Sequence, residues 1–295
     1  VERNGHRVRR LKDGYVTTVA GSSASQSGWK DGEGAVALLS QPVRIVRDKV
    51  GVLYVTEAGS AIVRQLTESN GVLAAKRFAG TANVPDSVDG AKLAKGLFYS
   101  PYGIALKGDG TVYVSQVGHH LLRQIADTKI TTLAGDKIGG YLDSTGPASK
   151  FKRPTGLAVS PVDGSVWMTD QHNYRIRRFN GSTVQTVAGH TFDGKYSDGK
   201  GSAAGLYWPS DIEFIYKGLA AFVDEKLHCL RTVTADGVVK YIVGACDDSK
   251  YGFQDGTGST VKFYEPSGLG SDGGTVIYIA DRGNALIRKV HCAAY

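Results

Sequence analysis

Apolar and polar residues along this chain alternate with the short period of β-strands. After several prolines comes a brief apolar run such as TGLAVS, then a glycine-rich turn and a β-branched and aromatic run such as SVWMTD. A polar turn leads to a third run, as in YRIRRF, and another turn leads to a fourth, as in VQTVAG. No window holds a sustained 3.6-residue apolar pattern. The sequence therefore predicts antiparallel sheets of four short strands with hairpin connections.

This four-strand unit recurs about every fifty-five residues, and three sequence motifs repeat with that same period. The first motif ends at Gly21, Gly80, Gly135, Gly189 and Gly244, at intervals of 59, 55, 54 and 55 residues. The second places an apolar residue three positions before a proline, in Leu39/Pro42, Phe98/Pro101, Phe151/Pro154, Leu206/Pro209 and Phe263/Pro266. The third places an acid seven positions before an arginine, in Glu2/Arg9, Glu57/Arg64, Asp170/Arg177, Asp224/Arg231 and Asp281/Arg288.

Repeated sheets of this kind predict an all-β fold, a β-propeller. A lone four-stranded sheet leaves two edges open and has little core, whereas radial repetition buries the faces of the blades against each other. We expect one domain over 1–295, with six four-stranded blades of which the first is incomplete. Its parts are a part-blade at 1–21, full blades at about 39–80, 98–135, 151–189 and 206–244, and a last blade at 263–290 without its outer strand. The alternative is five blades, in which residues 15–20 supply that outer strand and residues 1–11 are surplus.

The acid and the arginine are predicted to bridge the hairpin between second and third strands. A carboxylate and a guanidinium form a charge-assisted hydrogen bond that fixes hairpin register. Because the pair recurs blade by blade, we interpret it as scaffold and not as a catalytic site. Gln116/Arg123 keeps the arginine without the acid, so its blade should make an uncharged link.

The phrases YVTEAGSAIVRQL, WMTDQHNYRIRRF and YIADRGNALIRKV, each followed by a VTTVAG-type strand, resemble the NHL repeat family over essentially the full chain. The DGxG…FxxP loops look most like the long variety in extracellular and multidomain NHL proteins. The resemblance implies a propeller that binds protein, glycan or RNA. In a few relatives it implies an enzyme of the lyase or lactonase type with a metal in the channel.

The composition of the chain bears on its cellular location and on the charge of its partners. No run approaches 18 apolar residues, so no membrane-spanning helix is expected. The net charge of +7 permits anionic partners without choosing among them. A Cys229–Cys246 disulfide is feasible, because both cysteines lie toward one end of the same hairpin, and Asn180 begins an N-glycosylation sequon. Together these features favour a secreted or cell-surface protein, with a cytoplasmic one as the alternative.

Features that break the repeat are the better candidates for a binding site. Seven side chains near the predicted long-loop face qualify: His119, His120, His172, Tyr174, Tyr102, Tyr207 and Trp208. Aromatic residues with histidine suit protein or glycan recognition. Each long crossover loop carries one recurring aspartate, at Asp31, Asp89, Asp143, Asp198 and Asp255. One acid per loop is too few for a calcium loop, so we expect neither metal nor cofactor.

The favoured function is a non-catalytic binding or scaffold module for protein or glycan, within a larger assembly. One alternative is the propeller enzyme, for which Asp211 and Glu213 are the best acids. The other is an RNA-binding NHL domain with a basic, aromatic face.

Overall fold

The computed structural model describes residues 1–292 except 192, 194, 195 and 274, and its regular structure is β-strand with short 3-10 turns. An N-terminal hairpin precedes five blades. The hairpin consists of β1 (Arg7–Lys12) and β2 (Tyr15–Gly21). Blade 1 holds β3 (Gly32–Glu33), β4 (Pro42–Arg47), β5 (Leu53–Glu57), β6 (Ile62–Ser69) and β7 (Val72–Ala79). Blade 2 holds β8 (Gly90–Ala91), β9 (Pro101–Leu106), β10 (Val112–Gln116), β11 (Leu121–Ala126) and β12 (Lys129–Ala134).

Blade 3 holds β13 (Ser144–Thr145), β14 (Pro154–Val159), β15 (Val166–Asp170), β16 (Arg175–Phe179) and β17 (Thr183–Ala188). Blade 4 holds β18 (Gly199–Lys200), β19 (Pro209–Tyr216), β20 (Leu219–Asp224), β21 (Cys229–Thr234) and β22 (Val238–Gly244). Blade 5 holds β23 (Pro266–Ser271), β24 (Val276–Asp281) and β25 (Leu286–His291). The 3-10 turns are Gly34–Val36, Gly146–Ala148, Gln171–Asn173, Gly201–Ala203, Gly258–Thr260 and Arg282–Asn284.

Each of blades 1 to 4 has five strands, so the prediction of four-stranded blades is wrong. The additional strand is a two-residue piece of the preceding crossover, which pairs antiparallel with the outer strand of the blade, as β13 pairs with β17. An uncovered outer strand would present a row of unpaired backbone groups. The two-residue strand of the crossover forms hydrogen bonds with some of these backbone groups. A strand this short within a glycine-rich loop could not be recognised from the sequence.

The favoured six-blade count is also wrong. The structure shows five blades of an all-β propeller, the count of the alternative given above. Residues 1–21 supply only a third-type and a fourth-type strand, and these pair with each other, from Arg7 opposite Gly21 to Lys12 opposite Tyr15. The alternative had paired residues 15–20 with the last blade instead, and that pairing is absent among the described residues.

The chain divides into two compact units, Val1–Leu133 and Ala134–Tyr295, each with its own apolar clusters. In the first unit, Val8 and Val19 of the hairpin pack with Leu39 and Val55 of blade 1. In the second, Trp167 of blade 3 meets Phe214 of blade 4 edge to face at 5.3 Å between ring centroids. Stacking of blade on blade thus builds the core within each unit. The expected single domain over 1–295 stays a prediction.

Over the part of the chain that the structure describes, no helix has the length and apolar character needed to cross a bilayer.

The repeated arginine lies buried between two carboxylates, one more than the sequence suggested. In blade 3, Arg177 donates to Asp170 through Nη1 and to Asp143 of the crossover through Nη2, both at 2.6 Å. The same two nitrogens donate to the carbonyls of Lys150 and Leu142. Arg177 lies opposite Met168 in the ladder, so Asp170 is its diagonal neighbour. The arginine therefore fastens the long crossover to its own blade as well as fixing the hairpin.

The other blades repeat this arrangement, except that in blade 2 the side-chain amide oxygen of Gln116 takes the place of the hairpin carboxylate. The distances from the arginine to the hairpin residue are 3.5 Å for Arg64–Glu57, 2.6 Å for Arg123–Gln116, 3.5 Å for Arg231–Asp224 and 3.0 Å for Arg288–Asp281. The distances from the same arginines to the crossover aspartate are 3.0 Å for Arg64–Asp31, 3.0 Å for Arg123–Asp89, 3.0 Å for Arg231–Asp198 and 2.5 Å for Arg288–Asp255. In the N-terminal hairpin, Glu2 lies 3.2 Å from Arg9 and 2.5 Å from Arg7.

Candidate binding surface

Tyr207 and Trp208 lie at the point where the crossover enters blade 4. The backbone N–H of Tyr207 donates to both carboxylate oxygens of Asp224, each at 3.1 Å. The carbonyls of Tyr207 and Trp208 accept the N–H groups of Lys226 and Glu225 from the β20–β21 turn. Asp224, which also binds the buried arginine of the blade, thus holds the two aromatic residues against the hairpin tip.

Two candidates from the neighbouring hairpin of blade 3 complete an aromatic group. The His172 ring stacks on Trp208 with centroids 5.0 Å apart and planes 20° apart. Tyr174 lies 6.1 Å from Tyr207, centroid to centroid. The Lys226 ammonium lies 5.1 Å from the Trp208 ring centroid, within cation–π distance. All five side chains are half-buried, so they present apolar faces in largely fixed positions.

A charged network, which the sequence did not reveal, borders this aromatic group. Glu265 accepts from Lys226 Nζ and from Arg282, both at 2.7 Å, and Arg282 also donates to Glu225 at 2.9 Å. Gln171 of blade 3 donates to Glu225 at 3.3 Å. The network therefore joins the hairpin tips of blades 3, 4 and 5. We call His172, Tyr174, Tyr207, Trp208, Lys226, Glu265 and Arg282 together the Trp208 surface.

Electrostatics keep the network charged. The hydrogen bond to Glu265 raises the pKa of Lys226, and the same bond lowers the pKa of Glu265. His228 lies beneath, buried, and its Nδ1 accepts the backbone N–H of Glu265 at 3.1 Å. Burial lowers the pKa of His228, which favours the neutral ring that this hydrogen bond needs. Glu265 is thus fixed through both its backbone and its side chain.

The remaining three candidates lie in the first unit. His119 stacks on Tyr99 at 4.3 Å between centroids, and its Nδ1 lies 2.9 Å from Ser87 Oγ. His120 ends the β10–β11 turn with a positive φ of 54°. Tyr102 lies beneath the Arg44 guanidinium at 5.2 Å. Of the seven predicted residues, four contribute to the Trp208 surface, and His119 and Tyr102 make contacts within the first unit.

The acids proposed for an enzyme are occupied in other ways. Asp211 accepts the backbone N–H of Leu269 from blade 5 at 3.0 Å. Glu213 follows two positions later on β19, and burial raises its pKa to about 7, with the Asp211 charge adding to the effect. Within the described residues, no group of three or more His, Cys, Asp or Glu side chains is placed to hold a metal ion.

The cysteines and the sequon fall in blades 3 to 5. A disulfide joins Cys229 at the start of β21 to Cys246 just after β22. Cys292 is half-buried against the apolar cluster that blades 4 and 5 share. Asn180 lies exposed in the β16–β17 turn, where its side-chain oxygen accepts the N–H groups of Ser182 and Thr183. Glycosylation at this turn stays a prediction.

One signal could have located the charged network. The residues after the hairpin acid are Gln171, Glu225 with Lys226, and Arg282, at matching positions of three blades. Glu265 precedes the proline of blade 5 as Trp208 precedes that of blade 4. These positions have a common backbone environment and different side chains, which is the pattern that marked Trp208.

Comparison with known proteins places this fold in a family. The family model of the Teneurin NHL domain matches residues 83–291. Teneurin-3 of Danio rerio is 27% identical over 231 residues, covering 68% of this chain and 8% of that protein. Protein SUPPRESSOR OF QUENCHING 1, chloroplastic, of Arabidopsis thaliana is 24% identical over 282 residues, covering 91% of this chain and 26% of that protein. The chain thus spans about a quarter or less of these relatives.

A solved structure supports the same fold. The auxiliary nutrient binding protein of Bacteroides thetaiotaomicron VPI-5482 superposes with a TM-score of 0.70 over 97% of this chain and 64% of its own, at 19% identity. At that identity the likeness shows the fold alone. The family model, however, covers well over half of the sequence, and the NHL resemblance carried by the strand motifs is confirmed. The chain belongs to the Teneurin NHL domain family.

Proposed function

We propose that this chain is a non-catalytic binding module that recognises a protein partner through the Trp208 surface. One observation carries the proposal: a repeated backbone position bears a different side chain in every blade. The residues before the blade-opening prolines are Gln41, Ser100, Arg153, Trp208 and Glu265, and all have a positive φ between 48° and 66°. A conformation this costly for non-glycine residues persists only where the surroundings impose it. The scaffold therefore repeats while its presented side chains vary.

The chemistry of the Trp208 surface suits a protein partner. Tryptophan, tyrosine and arginine are the residues that dominate binding energy at protein interfaces. Here the Tyr207 and Trp208 rings lie 6.2 Å apart between centroids, and Glu225 and Glu265 hold Arg282 in place within the same surface. Because these side chains are fixed before binding, little conformational entropy is lost on association.

Two further facts support a binding role outside the cytoplasm. The superposed Bacteroides structure is that of a nutrient binding protein, and we extend binding, but not its ligand, to this chain. The Cys229–Cys246 disulfide is of a kind that persists in secreted and cell-surface proteins. We therefore propose a place in a larger secreted or surface assembly.

Site-specific photo-cross-linking tests the proposal. A benzophenone side chain at Tyr174 would report on the Trp208 surface, and one at Val162 would serve as the control. Val162 is exposed in the β14–β15 turn, at the opposite end of β15 from Tyr174. On intact cells, we expect protein adducts from position 174 and none from 162. The variant Trp208→Ala should lower the adduct yield by about tenfold, the effect of losing a tryptophan hot spot.

Three outcomes would contradict this proposal. Equal adducts from both positions would show non-specific contact. Unchanged adducts in Trp208→Ala would remove that residue from the recognition surface. Capture abolished by enzymatic deglycosylation of the cells, with the cell-surface proteins intact, would assign the surface to glycan recognition instead.

A further inference from the structure

His228 holds Glu265 of the Trp208 surface through the backbone. His228 ends the β20–β21 turn with a φ of 55°, and Glu265, with a φ of 49°, precedes the proline that opens blade 5. The Nδ1 atom of His228 accepts the backbone N–H of Glu265 at 3.1 Å. A positive φ is costly for residues other than glycine and persists only where neighbouring contacts impose it. This hydrogen bond is therefore one of the contacts that keep Glu265 in its strained conformation.

The same hydrogen bond occurs in the first compact unit. His6 precedes β1 with a φ of 52°, at the repeat position of His228, and its Nδ1 accepts the backbone N–H of Gln41 at 3.0 Å. Gln41 precedes the proline of blade 1 as Glu265 precedes that of blade 5. In the hairpin turns of blades 1 and 5 this position holds an alanine, whose side chain has no acceptor. A histidine here therefore makes a repeated backbone link that depends on a group able to titrate near neutral pH.

Protonation of His228 is incompatible with its hydrogen bond to Glu265. With Nδ1 as the acceptor, the proton of the neutral ring lies on Nε2, and the ring donates to the backbone carbonyl of Asp248. A second proton would occupy Nδ1 and point at the N–H of Glu265. The rings of Tyr251 and Tyr264, at 5.3 and 6.0 Å between centroids, pack against the buried imidazole. Two donors that face each other in a buried site repel, so the hydrogen bond must break.

The charged groups around His228 determine the pH at which this happens. Burial, the largest effect, lowers the pKa of His228 below its ordinary value of 6.5, and the Lys226 ammonium adds to that effect. The carboxylates of Glu265 and Asp248 act in the opposite direction and favour the imidazolium. The ring is therefore neutral at pH 7.4. Its hydrogen bond to Glu265 is present above pH 6.5 and is lost as pH falls through the lower pKa of the folded chain.

Glu265 connects His228 to the rest of the Trp208 surface. Its carboxylate accepts from Lys226 and Arg282, both at 2.7 Å. The Lys226 ammonium in turn lies 5.1 Å from the Trp208 ring centroid. Movement of Glu265 would therefore release both cations and withdraw the ammonium from the tryptophan. The contacts that fix these side chains before binding are the ones that acid removes.

We propose that acid switches the Trp208 surface off, because protonation of His228 releases the backbone of Glu265 and, with it, Lys226 and Arg282. The conformational step is a property of this chain alone, whereas its effect on a protein partner rests on the function proposed above. A surface of this kind would bind at the neutral pH outside cells and release its partner in an acidic compartment.

Nuclear magnetic resonance of the isolated full chain tests the conformational step. Between pH 8 and pH 5, the backbone amide resonance of Glu265 should shift with the same midpoint as the imidazole nitrogens of His228, below pH 6.5. His228→Asn keeps a carbonyl acceptor near the place of Nδ1, tolerates the positive φ and does not titrate. In this variant the Glu265 amide should hold its position over the same range. A Glu265 amide that ignores the titration of His228, or an imidazole still neutral at pH 5, would overturn the proposal.

Photo-cross-linking from position 174 on intact cells tests the effect on recognition, as the ratio of adduct yields at pH 7.4 and pH 5. In the wild type we expect a yield about tenfold lower at pH 5, the effect of leaving a buried donor without its acceptor. The ratio should be near one in His228→Asn. His6→Asn is the matched control, because it makes the same change at the same repeat position in the first unit, and it should keep the acid-dependent loss. Circular dichroism would establish that both variants fold.

Two outcomes of the cross-linking would contradict the proposal. A loss in acid that persists in His228→Asn would assign the titrating group to the partner or to His172. A wild-type yield unchanged by acid would show that recognition survives the release of Glu265. Absence of adducts at pH 7.4 would instead refute the proposed function, and the Glu265 amide would then decide the switch alone.

Discussion

At the residue scale, each blade of this propeller holds a buried arginine whose guanidinium contacts polar groups of both the hairpin and the crossover. Arg177 is fully buried, and its two carboxylate partners lie on different segments, Asp170 on β15 and Asp143 before β13. Burial raises the pKa of Asp170, so the carboxylate depends on the guanidinium to remain charged. Removal of either member of the Asp170–Arg177 pair would leave the other member buried without its oppositely charged partner.

The first prediction concerns this arginine. Arg177→Leu should lower the free energy of unfolding by about 3–5 kcal/mol, because it leaves Asp170 buried without its cation. Its neighbour Arg178 provides the matched control, since it is partly exposed and pairs with Asp163 near the surface. Arg178→Leu should cost at most about 1 kcal/mol. Urea unfolding of the two variants measures both, and equal stability would show that the buried arginine is replaceable.

Some residues of the Trp208 surface could be predicted from the sequence, and others could not, for a physical reason. Trp208 and Tyr207 were found because large aromatic residues at a repeat position stand out in one blade. Glu265 and Arg282 were missed because each is unremarkable in its own blade. They acquire a role only when three hairpin tips are brought together, and a single sequence does not show which tips are neighbours.

At the element scale, the apolar pattern of the sequence predicted the strands of the hairpins but not the two-residue strands in the crossovers. The turn glycines and β-branched runs located the hairpins, because these residues have local conformational preferences. Two-residue strands such as β18 have no such preference. They form because the aspartate beside them binds the arginine and the fourth strand, as Asp198 binds Arg231 and the N–H of Tyr241. These short strands therefore depend on contacts between segments that are distant in the sequence, and a local sequence pattern does not show such contacts.

The second prediction concerns the disulfide of blade 4. It joins β21 to the segment after β22 across a sequence separation of 17 residues. A loop of this length predicts a contribution of about 3 kcal/mol through restriction of the unfolded chain. Cys229→Ser/Cys246→Ser should therefore unfold at lower denaturant than the oxidised wild type and match the wild type treated with reductant. Cys292→Ser is the control and should keep the sensitivity to reductant; a double variant as stable as the oxidised protein would refute this contribution.

At the scale of the whole molecule, several carboxylates are buried within the sheets, and the stability of the protein should reflect them together. Burial raises the pKa of Glu57 and of Glu213 to about 7, and that of Asp224 to about 6. In the unfolded chain these groups titrate near ~4. Between about pH 4 and pH 7 these three carboxyl groups therefore bind more protons in the folded state than in the unfolded state. Their combined contribution to the free energy of unfolding must then fall as pH rises through this window.

Glu213 gives the sharpest test of this pH dependence, because no basic side chain is among the causes of its shift, whereas Glu57 and Asp224 have arginine partners. Glu213→Gln replaces the carboxylate by a neutral amide of similar shape. It should stabilise the protein at pH 8 by up to about 3 kcal/mol, the free energy of a shift from ~4.5 to ~7, and change little at pH 4.5. Glu33→Gln, at an exposed position of β3, should have no such effect at either pH. Urea midpoints at the two pH values decide the matter. A Glu213→Gln curve parallel to the wild type would mean that Glu213 titrates normally in the fold, and that the other buried acids carry any pH dependence observed.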